Sequence, residues 1–308
     1  MQDIVALLTA HPTLWVALVF VFSLLVGSFL NVVIHRLPII LEREWRAQAD
    51  QILNEDAAAG VSTSSAEQAP KPPKYNLLVP RSACPKCGAM ITAAQNIPLL
   101  SYLLLKGKCA KCGARISARY PIVELGTAIL SALVAAKFGP TWYAGAALVL
   151  TWALVGLSGI DFDTQLLPDN ITLPLLWLGL LLSLAPGDPQ FATPVDPRSS
   201  IIGAVAGYLS LWSVYHVFRQ LTGKEGMGYG DFKLFAALGA WMGWQMLPLI
   251  ILISAFTGAV VGIALIAFRG RDRNIPIPFG PYLAAAGWIA LMWGDRLVGS
   301  YLALSGLR

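Results

Sequence analysis

Charged side chains are scarce in this chain. Asp, Glu, Lys and Arg make up 13% of the 308 residues, whereas 56% are hydrophobic and the mean hydropathy is +0.64. A soluble globular chain carries about 25% charged and roughly 45–50% apolar residues. This deficit excludes a soluble enzyme, a disordered protein and a nucleic-acid-binding module, and it predicts a polytopic membrane protein. The net charge of +5 does not indicate a nucleic-acid partner, because the excess cations flank apolar stretches, as membrane topology requires.

The N-terminus lacks the basic residues of a secretory signal. The first twelve residues, MQDIVALLTAHP, contain no Lys or Arg, whereas a cleavable signal peptide begins with a basic region. The apolar stretch that follows, residues 14–34, is about as long as a helix needs to be to cross the hydrocarbon core. We therefore expect it to be retained as a transmembrane helix.

Eight apolar stretches are candidates for crossing a bilayer. The first is expected to end at residues 35–38, where charge and a proline stop the helix, and a polar segment extends to residue 120. The others are 121–138, 141–160, 171–186, 199–218, 232–246, 248–268 and 281–304. The stretch 232–246 is short, and its boundary at Pro248 is the least defined. The sequence thus predicts an all-α polytopic membrane protein of about eight transmembrane helices.

Lysine and arginine are distributed unevenly between the two sides of the predicted membrane. With alternating spans, 18 of the 22 fall on one side: 12 in residues 35–120 and three each in the loops 219–233 and 269–273. Because positively charged loops stay in the cytosol, the long polar segment is predicted to be cytosolic and both termini periplasmic.

The polar segment divides the chain. We expect a first transmembrane helix, a cytosolic part and a seven-helix transmembrane core, at residues 1–36, 37–120 and 121–308. Residues 37–53 have the periodicity of an amphipathic helix, which lies on the inner membrane surface or packs on the cysteine-containing residues. Residues 54–74 are rich in Ala, Ser and Pro and predict a disordered tether, and residues 75–120 contain all four cysteines. The pattern indicates no internal repeat.

Glycines four residues apart occur in three of the predicted spans. Such pairs are typical of helices that pack closely in membranes, and they carry no chemistry of their own. The pairs are Gly203/Gly207, Gly239/Gly243 and Gly258/Gly262.

The cysteines form two Cys-x-x-Cys pairs, each followed by glycine. They are Cys84, Cys87, Cys109 and Cys112, with 21 residues between the pairs. Such pairs are typical of a zinc site in which four thiolates hold one tetrahedral ion, and the reducing cytosol favours this over disulfides. Redox-active or incidental thiols are the alternative. Because four protein ligands leave no position for a water, the zinc site is predicted to be structural.

Acidic residues at the edges of the apolar stretches are candidates for function, because a carboxylate there is costly. They are Glu124, Asp161, Asp163, Asp169, Asp231 and Asp295. Asp161 is predicted to end the third span and Asp231 to begin the sixth, which places both at one face of the membrane. Two carboxyl groups that share a proton can activate water and protonate a carbonyl, which is chemistry for peptide hydrolysis.

The alternative for each aspartate is a structural role at a helix end or in a solvated loop. The helix dipole favours Asp231 at a helix N-terminus. Asp231 also follows a glycine-rich stretch, residues 226–230, in which the backbone could approach an extended peptide closely. A phosphate-binding loop is disfavoured, because the stretch lacks the GK[ST] ending of a P-loop.

Motifs over nearly the whole chain resemble those of the bacterial type IV prepilin peptidases, the prepilin leader peptidase/N-methyltransferases. Besides the cysteine pairs, the motifs are GSFLNV at 27–32, HRLP at 35–38, RYPIVE at 119–124, DFDTQLLPD at 161–169, TGKEGMGYGDFK at 222–233 and PIPFGP at 276–281. The string from Gly228 to Asp231 also fits the broader GxGD class of intramembrane aspartyl proteases.

The resemblance implies that Asp161 and Asp231 are catalytic, with Asp163 as a rival for the first role. Residues i and i+2 lie about 200° apart on a helix, so only one of the pair can face Asp231. The resemblance further implies cleavage of the basic leader of type IV prepilins and pseudopilins at the cytosolic face of the inner membrane. It also implies subsequent N-methylation of the new N-terminal residue with S-adenosylmethionine. The partners implied are these substrates and membrane lipid.

Three other polar residues have predicted roles. Asp169 is expected to cap the fourth span, and Asn31 to make a hydrogen bond between packed helices. Glu124 is expected to pair with Arg119 or Lys137, or to contribute to methyl transfer.

Two other classes of protein compete with the prepilin peptidase interpretation. Another GxGD protease would share the aspartates but would not need the cysteines and would not methylate. A non-enzymatic scaffold or transporter would tolerate asparagine at both Asp161 and Asp231.

Overall fold

The computed structural model describes residues 2–58, 75–92, 94–185, 195–269 and 277–306. Within these ranges the chain is helical and contains no β-strand, only two isolated bridges. The helices are α1 Gln2–Ala10, α2 Pro12–Ala58, α3 Leu100–Leu104, α4 Arg119–Phe138, α5 Trp142–Thr164, α6 Asp169–Ser183, α7 Pro197–Thr222, α8 Tyr229–Met242, α9 Leu247–Arg269 and α10 Gly280–Leu304. The predicted all-α fold is confirmed, and each predicted stretch after the first coincides with one helix from α4 to α10.

The described part of the chain contains five helices long and apolar enough to cross a membrane. They are Pro12–Leu53, Arg119–Phe138, Trp142–Thr164, Pro197–Thr222 and Trp244–Phe268. α6 is apolar but shorter, and α8 has only 14 residues. The chain is thus a multi-pass membrane protein, and the count of eight spans stays a prediction.

The prediction that the first helix ends beside Pro38 is wrong. α2 continues through this proline to residue 58, and at 1.5 Å per residue its 47 residues extend about 70 Å. Proline removes one backbone hydrogen bond, but contacts of the preceding turn hold the helix in place. Ile34 is buried against Ile160 of α5, and Arg36 donates hydrogen bonds to two backbone carbonyls of the cysteine-containing segment.

The predicted tether, residues 54–74, begins too early, because residues 54–58 belong to α2. Its remainder lies outside the described residues. Residues 42–53 are exposed along α2, and the Arg43 guanidinium lies 4.3 Å from the centre of the Tyr75 ring. The predicted amphipathic helix is therefore a direct continuation of the first membrane helix. The domain boundaries after residues 36 and 120 stay predictions.

α8 lies at the centre of the helical core. Eleven of its 14 residues are buried, and it packs against α6, α7 and α10. Phe232, Leu234, Phe235 and Leu238 on this helix belong to the main hydrophobic cluster, together with buried side chains of α5 and α10. The first turn of α8 is therefore fixed relative to the ends of its neighbours.

α7 and α8 pack with their backbones in contact. A Cβ on Gly203 would collide with the carbonyl group of Gly239, and the reverse also holds. A Cβ on Gly207 would lie 2.7 Å from the carbonyl oxygen of Phe235. The predicted close packing is confirmed for these glycines. Gly258 differs, since its Cβ would meet only a tyrosine ring of α10 at 3.4 Å.

Candidate active site

Asp161 is a buried carboxylate held between α5 and α10. It lies in the last turn of α5 with 5% of its surface exposed, and its Oδ2 accepts a hydrogen bond of 3.0 Å from the backbone N–H of Gly280. α5 extends to Thr164, slightly beyond the predicted end. The chain then turns at Gln165, whose φ of 54° is left-handed.

Asp231 is the third residue of α8 and is 6% exposed. Its Oδ2 accepts a hydrogen bond of 3.2 Å from the N–H of Gly228, so it does cap the helix, as the structural alternative predicts. Its Oδ1, however, is buried without a hydrogen-bond partner among the described residues. An unpaired buried carboxylate oxygen is costly. Helix capping therefore accounts for only one oxygen of this carboxyl group.

Leu167 lies between the segments that carry the two aspartates. A Cβ on Gly230 would lie 2.6 Å from Leu167 Cβ, and a Cβ on Gly280 would lie 2.7 Å from Asp161 Oδ2 and 3.1 Å from the Leu167 side chain. The two carboxyl groups are close enough to interact electrostatically. The structure thus brings the segments that carry Asp161 and Asp231 into contact with the same leucine, although 70 residues separate the two aspartates. The close approach that Gly230 permits is thus to Leu167 of this chain.

Asp163, the rival of Asp161, points away from this site. Its Oδ1 accepts a hydrogen bond of 2.6 Å from Arg119 Nη1 at the start of α4, and both side chains are partly exposed. Arg119 Nη2 also donates to the carbonyl oxygen of Gly159 at 3.1 Å. The expectation that only one aspartate of the pair can face Asp231 is confirmed.

The prediction that Asp169 caps α6 is wrong. Pro168 occupies the N-cap position, and Asp169 is the first helical residue. Both of its carboxylate oxygens accept hydrogen bonds of 2.7 Å from Lys233 Nζ on α8. The lysine draws the carboxylate away from the helix terminus and links α6 to the helix that carries Asp231.

The predicted partners of Glu124 are also wrong. Glu124 Oε2 accepts a hydrogen bond of 2.8 Å from the backbone N–H of Leu99, whereas Arg119 pairs with an aspartate. Lys137 instead donates to two carbonyl oxygens of α10. The role predicted for Asn31 is confirmed, because its side chain donates to the carbonyl oxygen of Tyr120 at 3.1 Å.

The four cysteines are brought together in a separate cluster. Their sulfur atoms all lie within 4.8 Å of one another, and the sulfurs of Cys84 and Cys112 are 3.9 Å apart. Two sulfurs bound at about 2.3 Å to a tetrahedral zinc ion lie about 3.8 Å apart, so the arrangement fits such an ion. The backbone N–H groups of Cys112 and Lys111 lower the pKa of Cys109 to about 6, which favours the thiolate that binds metal. At Cys112 the Ala114 N–H acts in the same direction, but desolvation and the neighbouring thiols outweigh it and raise the pKa to about 11.

The cluster is built from a short repeat, so the prediction that the chain has no internal repeat is wrong. Residues 84–91 and 109–116 share the pattern C-x-K-C-G-A-x-I. In the first copy Gly88 N–H donates to the Cys84 carbonyl, and in the second Gly113 N–H donates to that of Cys109, each at 2.9 Å. Both glycines have φ near +68°. Two equivalent turns thus present two thiols each to the same point.

The fold and the site define the class of protein: a multi-pass helical membrane protein with two buried carboxyl groups at adjoining helix ends and a four-thiol cluster that could hold a metal ion. Residues 21–138 match the bacterial peptidase A24 N-terminal domain, and residues 148–263 match the type IV leader peptidase family. The chain belongs to this family.

Relatives named prepilin leader peptidase/N-methyltransferase match over nearly their full length. The protein of Aeromonas hydrophila is 57% identical over 291 residues, covering 94% of this chain and 95% of that protein. The Pseudomonas aeruginosa protein is 52% identical over 301 residues, with 98% of each chain covered. The Xanthomonas campestris pv. campestris protein is 46% identical over 303 residues, with 98% and 100% covered. No solved structure matches the chain.

Proposed function

We propose that this protein removes the leader peptide of type IV prepilins and pseudopilins with Asp161 and Asp231 as its catalytic pair, and then methylates the new N-terminal residue. The observation that carries the catalytic assignment is the placement of two buried, electrostatically interacting carboxyl groups on segments that both pack against Leu167, with Oδ1 of Asp231 free of protein partners among the described residues. The names of the full-length relatives support both activities.

The two aspartates would work as an acid and a base on one water molecule. One ionised carboxylate takes a proton from the water as it attacks the scissile carbonyl, and the other, protonated, donates to the carbonyl oxygen. The tetrahedral intermediate collapses when the leaving amine is protonated, and no covalent enzyme intermediate forms. The hydrogen bonds from Gly280 and Gly228 hold one oxygen of each carboxyl group and thereby fix its orientation.

The site would face the cytosol. Asp161 lies at the C-terminal end of α5 and Asp231 at the N-terminal end of α8. We call residues 75–118 the cysteine module. Arg119, which directly follows this module, contacts α5 beside Asp161. The module and the carboxyl groups therefore share one side of the helix bundle. The excess of lysine and arginine on that side supports a cytosolic position, with both termini in the periplasm of a bacterial inner-membrane protein.

The four thiols would hold a structural zinc ion, because four protein ligands saturate its tetrahedral shell. The ion would fix residues 82–116 as one unit. The N-methyltransferase part of the relatives' name implies S-adenosylmethionine, which supplies the methyl group for the new N-terminal amine.

A purified prepilin incubated with this protein in lipid vesicles tests the proposal by mass spectrometry. We expect loss of the leader without S-adenosylmethionine, and one additional methyl group on the new N-terminus with it. Asp161→Asn and Asp231→Asn variants should each abolish leader loss, while Asp163→Asn should retain it at least in part. Cleavage by either of the first two variants at the wild-type rate would refute the catalytic assignment.

A further inference from the structure

The segment between the two cysteine turns is apolar and largely exposed. Residues 97–105 read IPLLSYLLL, and lysines follow at 106 and 108. Leu103 and Leu104 are 63% and 72% exposed, and Ile97 and Leu100 are also exposed. Within the described ranges, the five-residue helix α3 in this segment makes few contacts with the other helices. Such a cluster is unfavourable in water and marks an interaction surface.

A hydrogen bond to Glu124 shows how far residues 97–105 reach along the membrane helix α2. Its carboxylate accepts the N–H of Leu99 at 2.8 Å, and the added Cβ of Gly27 on α2 would lie 2.7 Å from Glu124 Cα. Leu99 is therefore close to the level of Gly27. Gly27 lies nine residues before Arg36, the first charged residue after the apolar stretch, which is about 13 Å along the helix axis.

Two further contacts agree with this depth. Asn31 of α2 bonds to the Tyr120 carbonyl, one turn of α4 before Glu124, so α2 and α4 run antiparallel in register. Arg36 bonds to the carbonyl of Asn76, so the start of the cysteine module lies near the level of Arg36. The chain thus enters the module near the membrane boundary and extends deeper at residues 97–105.

The backbone of this segment is suited to an environment without water. Non-helical backbone at membrane depth is tolerated only when its polar groups are bonded within the protein. Leu99 N–H donates to Glu124, and Ser101 and Leu103 N–H donate to the carbonyls of Ile97 and Leu99. The N–H groups of residues 105 to 108 donate to carbonyls of residues 101 to 105.

We propose that residues 97–105 insert into the lipid leaflet on the side of the cysteine module, as a membrane anchor. The exposed side chains of Leu100, Leu103 and Leu104 would contact acyl chains. Lys106 and Lys108, directly after them, would lie among anionic phosphate headgroups. Two kinds of contact then hold the cysteine module at the membrane. The anchor contacts lipid, and Arg36 of α2 and Glu124 of α4 bond to the module.

A photoreactive phospholipid with a diazirine midway along its acyl chain tests this anchor. The metal-loaded full-length protein in vesicles of this lipid is irradiated, and the adducts are mapped by mass spectrometry. We expect adducts on residues 97–105 and on the exposed face of α9, and none on the first cysteine turn, residues 82–91. Absence of adducts from residues 97–105, with α9 labelled, would overturn the proposal.

A matched pair of variants tests the role of the side chains. Leu103→Gln combined with Leu104→Gln should remove adducts from the segment. Leu78→Gln, at a 79% exposed leucine near the level of Arg36, should leave them unchanged. Metal content equal to wild type verifies that the module is folded. Equal numbers of lipid adducts on residues 97–105 in the double variant and in Leu78→Gln would contradict the proposal. Protection of the segment by added prepilin would also overturn it, because the surface would then bind substrate.

Discussion

Charged residues two positions after each proposed catalytic aspartate link its helix to a neighbouring element. Asp163 binds Arg119 of α4, and Lys233 binds Asp169 of α6. Residues two apart lie on opposite sides of a helix, so each ion pair constrains the rotation that directs the aspartate inward. Partly exposed ion pairs contribute only about 0–1 kcal/mol to stability. We therefore expect their removal to affect catalysis more than folding.

Replacement of Asp169 by asparagine tests this expectation. The kcat of prepilin cleavage should fall by about tenfold or more, because small displacements of catalytic groups are costly. KM and the thermal unfolding temperature should change little, and Asp169→Glu should restore part of the rate. Glu42→Gln, which breaks the exposed Arg46–Glu42 pair on α2, is the matched control. A kcat equal to that of the control would rule out a positioning role.

At the scale of residues, the sequence predicted those side chains whose spacing or position in the membrane topology indicates a chemical role. The cysteines were identifiable by their spacing, and Asp161 and Asp231 by their place at the edges of apolar stretches. The ion pairs were not predictable, because their partners lie 44 and 64 residues apart. Glu124 was misassigned because its partner is the backbone N–H of Leu99, and backbone partners leave no pattern in the side chains.

Close packing of α7 on α8 fixes the helix that carries Asp231. Gly203→Ala should destabilise the protein by about 1–3 kcal/mol, because the new methyl group forces the two backbones apart. The effect should be visible as a lower unfolding temperature in detergent together with reduced cleavage. Gly258→Ala is the control, since its methyl group would meet only a ring at 3.4 Å. Similar unfolding temperatures for the two variants would contradict this prediction, because they would show that α7 and α8 can accommodate a methyl group at residue 203.

At the scale of elements, hydropathy predicted α4 to α10 because apolar length is a strong signal in membrane helices. It failed at Pro38, where tertiary contacts of Ile34 and Arg36 outweigh the local preference of proline to end a helix. It also missed the repeated cysteine turn, whose eight-residue pattern carries no hydropathy signal. Hydropathy and proline position thus located the helices, but they did not predict that α2 continues through Pro38.

The cysteine module and the helical core are joined at few points in the described structure. Arg36 and Glu124 provide hydrogen bonds between them. We therefore expect metal removal to unfold the module while the membrane helices stay folded. Circular dichroism should retain most of the helical signal after chelation, while proteolysis within residues 75–118 should increase. A cooperative loss of helix with metal release would contradict this separation.

Metal affinity should fall as the pH decreases. Protons compete with the metal for all four thiolates, and Cys112, whose pKa is raised to about 11, must lose a proton to bind metal throughout the range from pH 7 to pH 5. Below about pH 6, Cys109, whose pKa is about 6, must lose a proton as well. Titration from pH 7 to pH 5 with a chromophoric chelator should therefore show progressively easier metal release. An affinity independent of pH over this range would indicate that the thiols are not the ligands.

The hydrogen bond from Gly280 to Asp161 also has a consequence for biosynthesis. Gly280 begins α10, and the ribosome adds it 119 residues after Asp161. A nascent chain that has inserted α1 to α9 still lacks the donor that orients this carboxylate. Hydrolytic competence is therefore expected to arise only after α10 has been synthesised and has packed against α5.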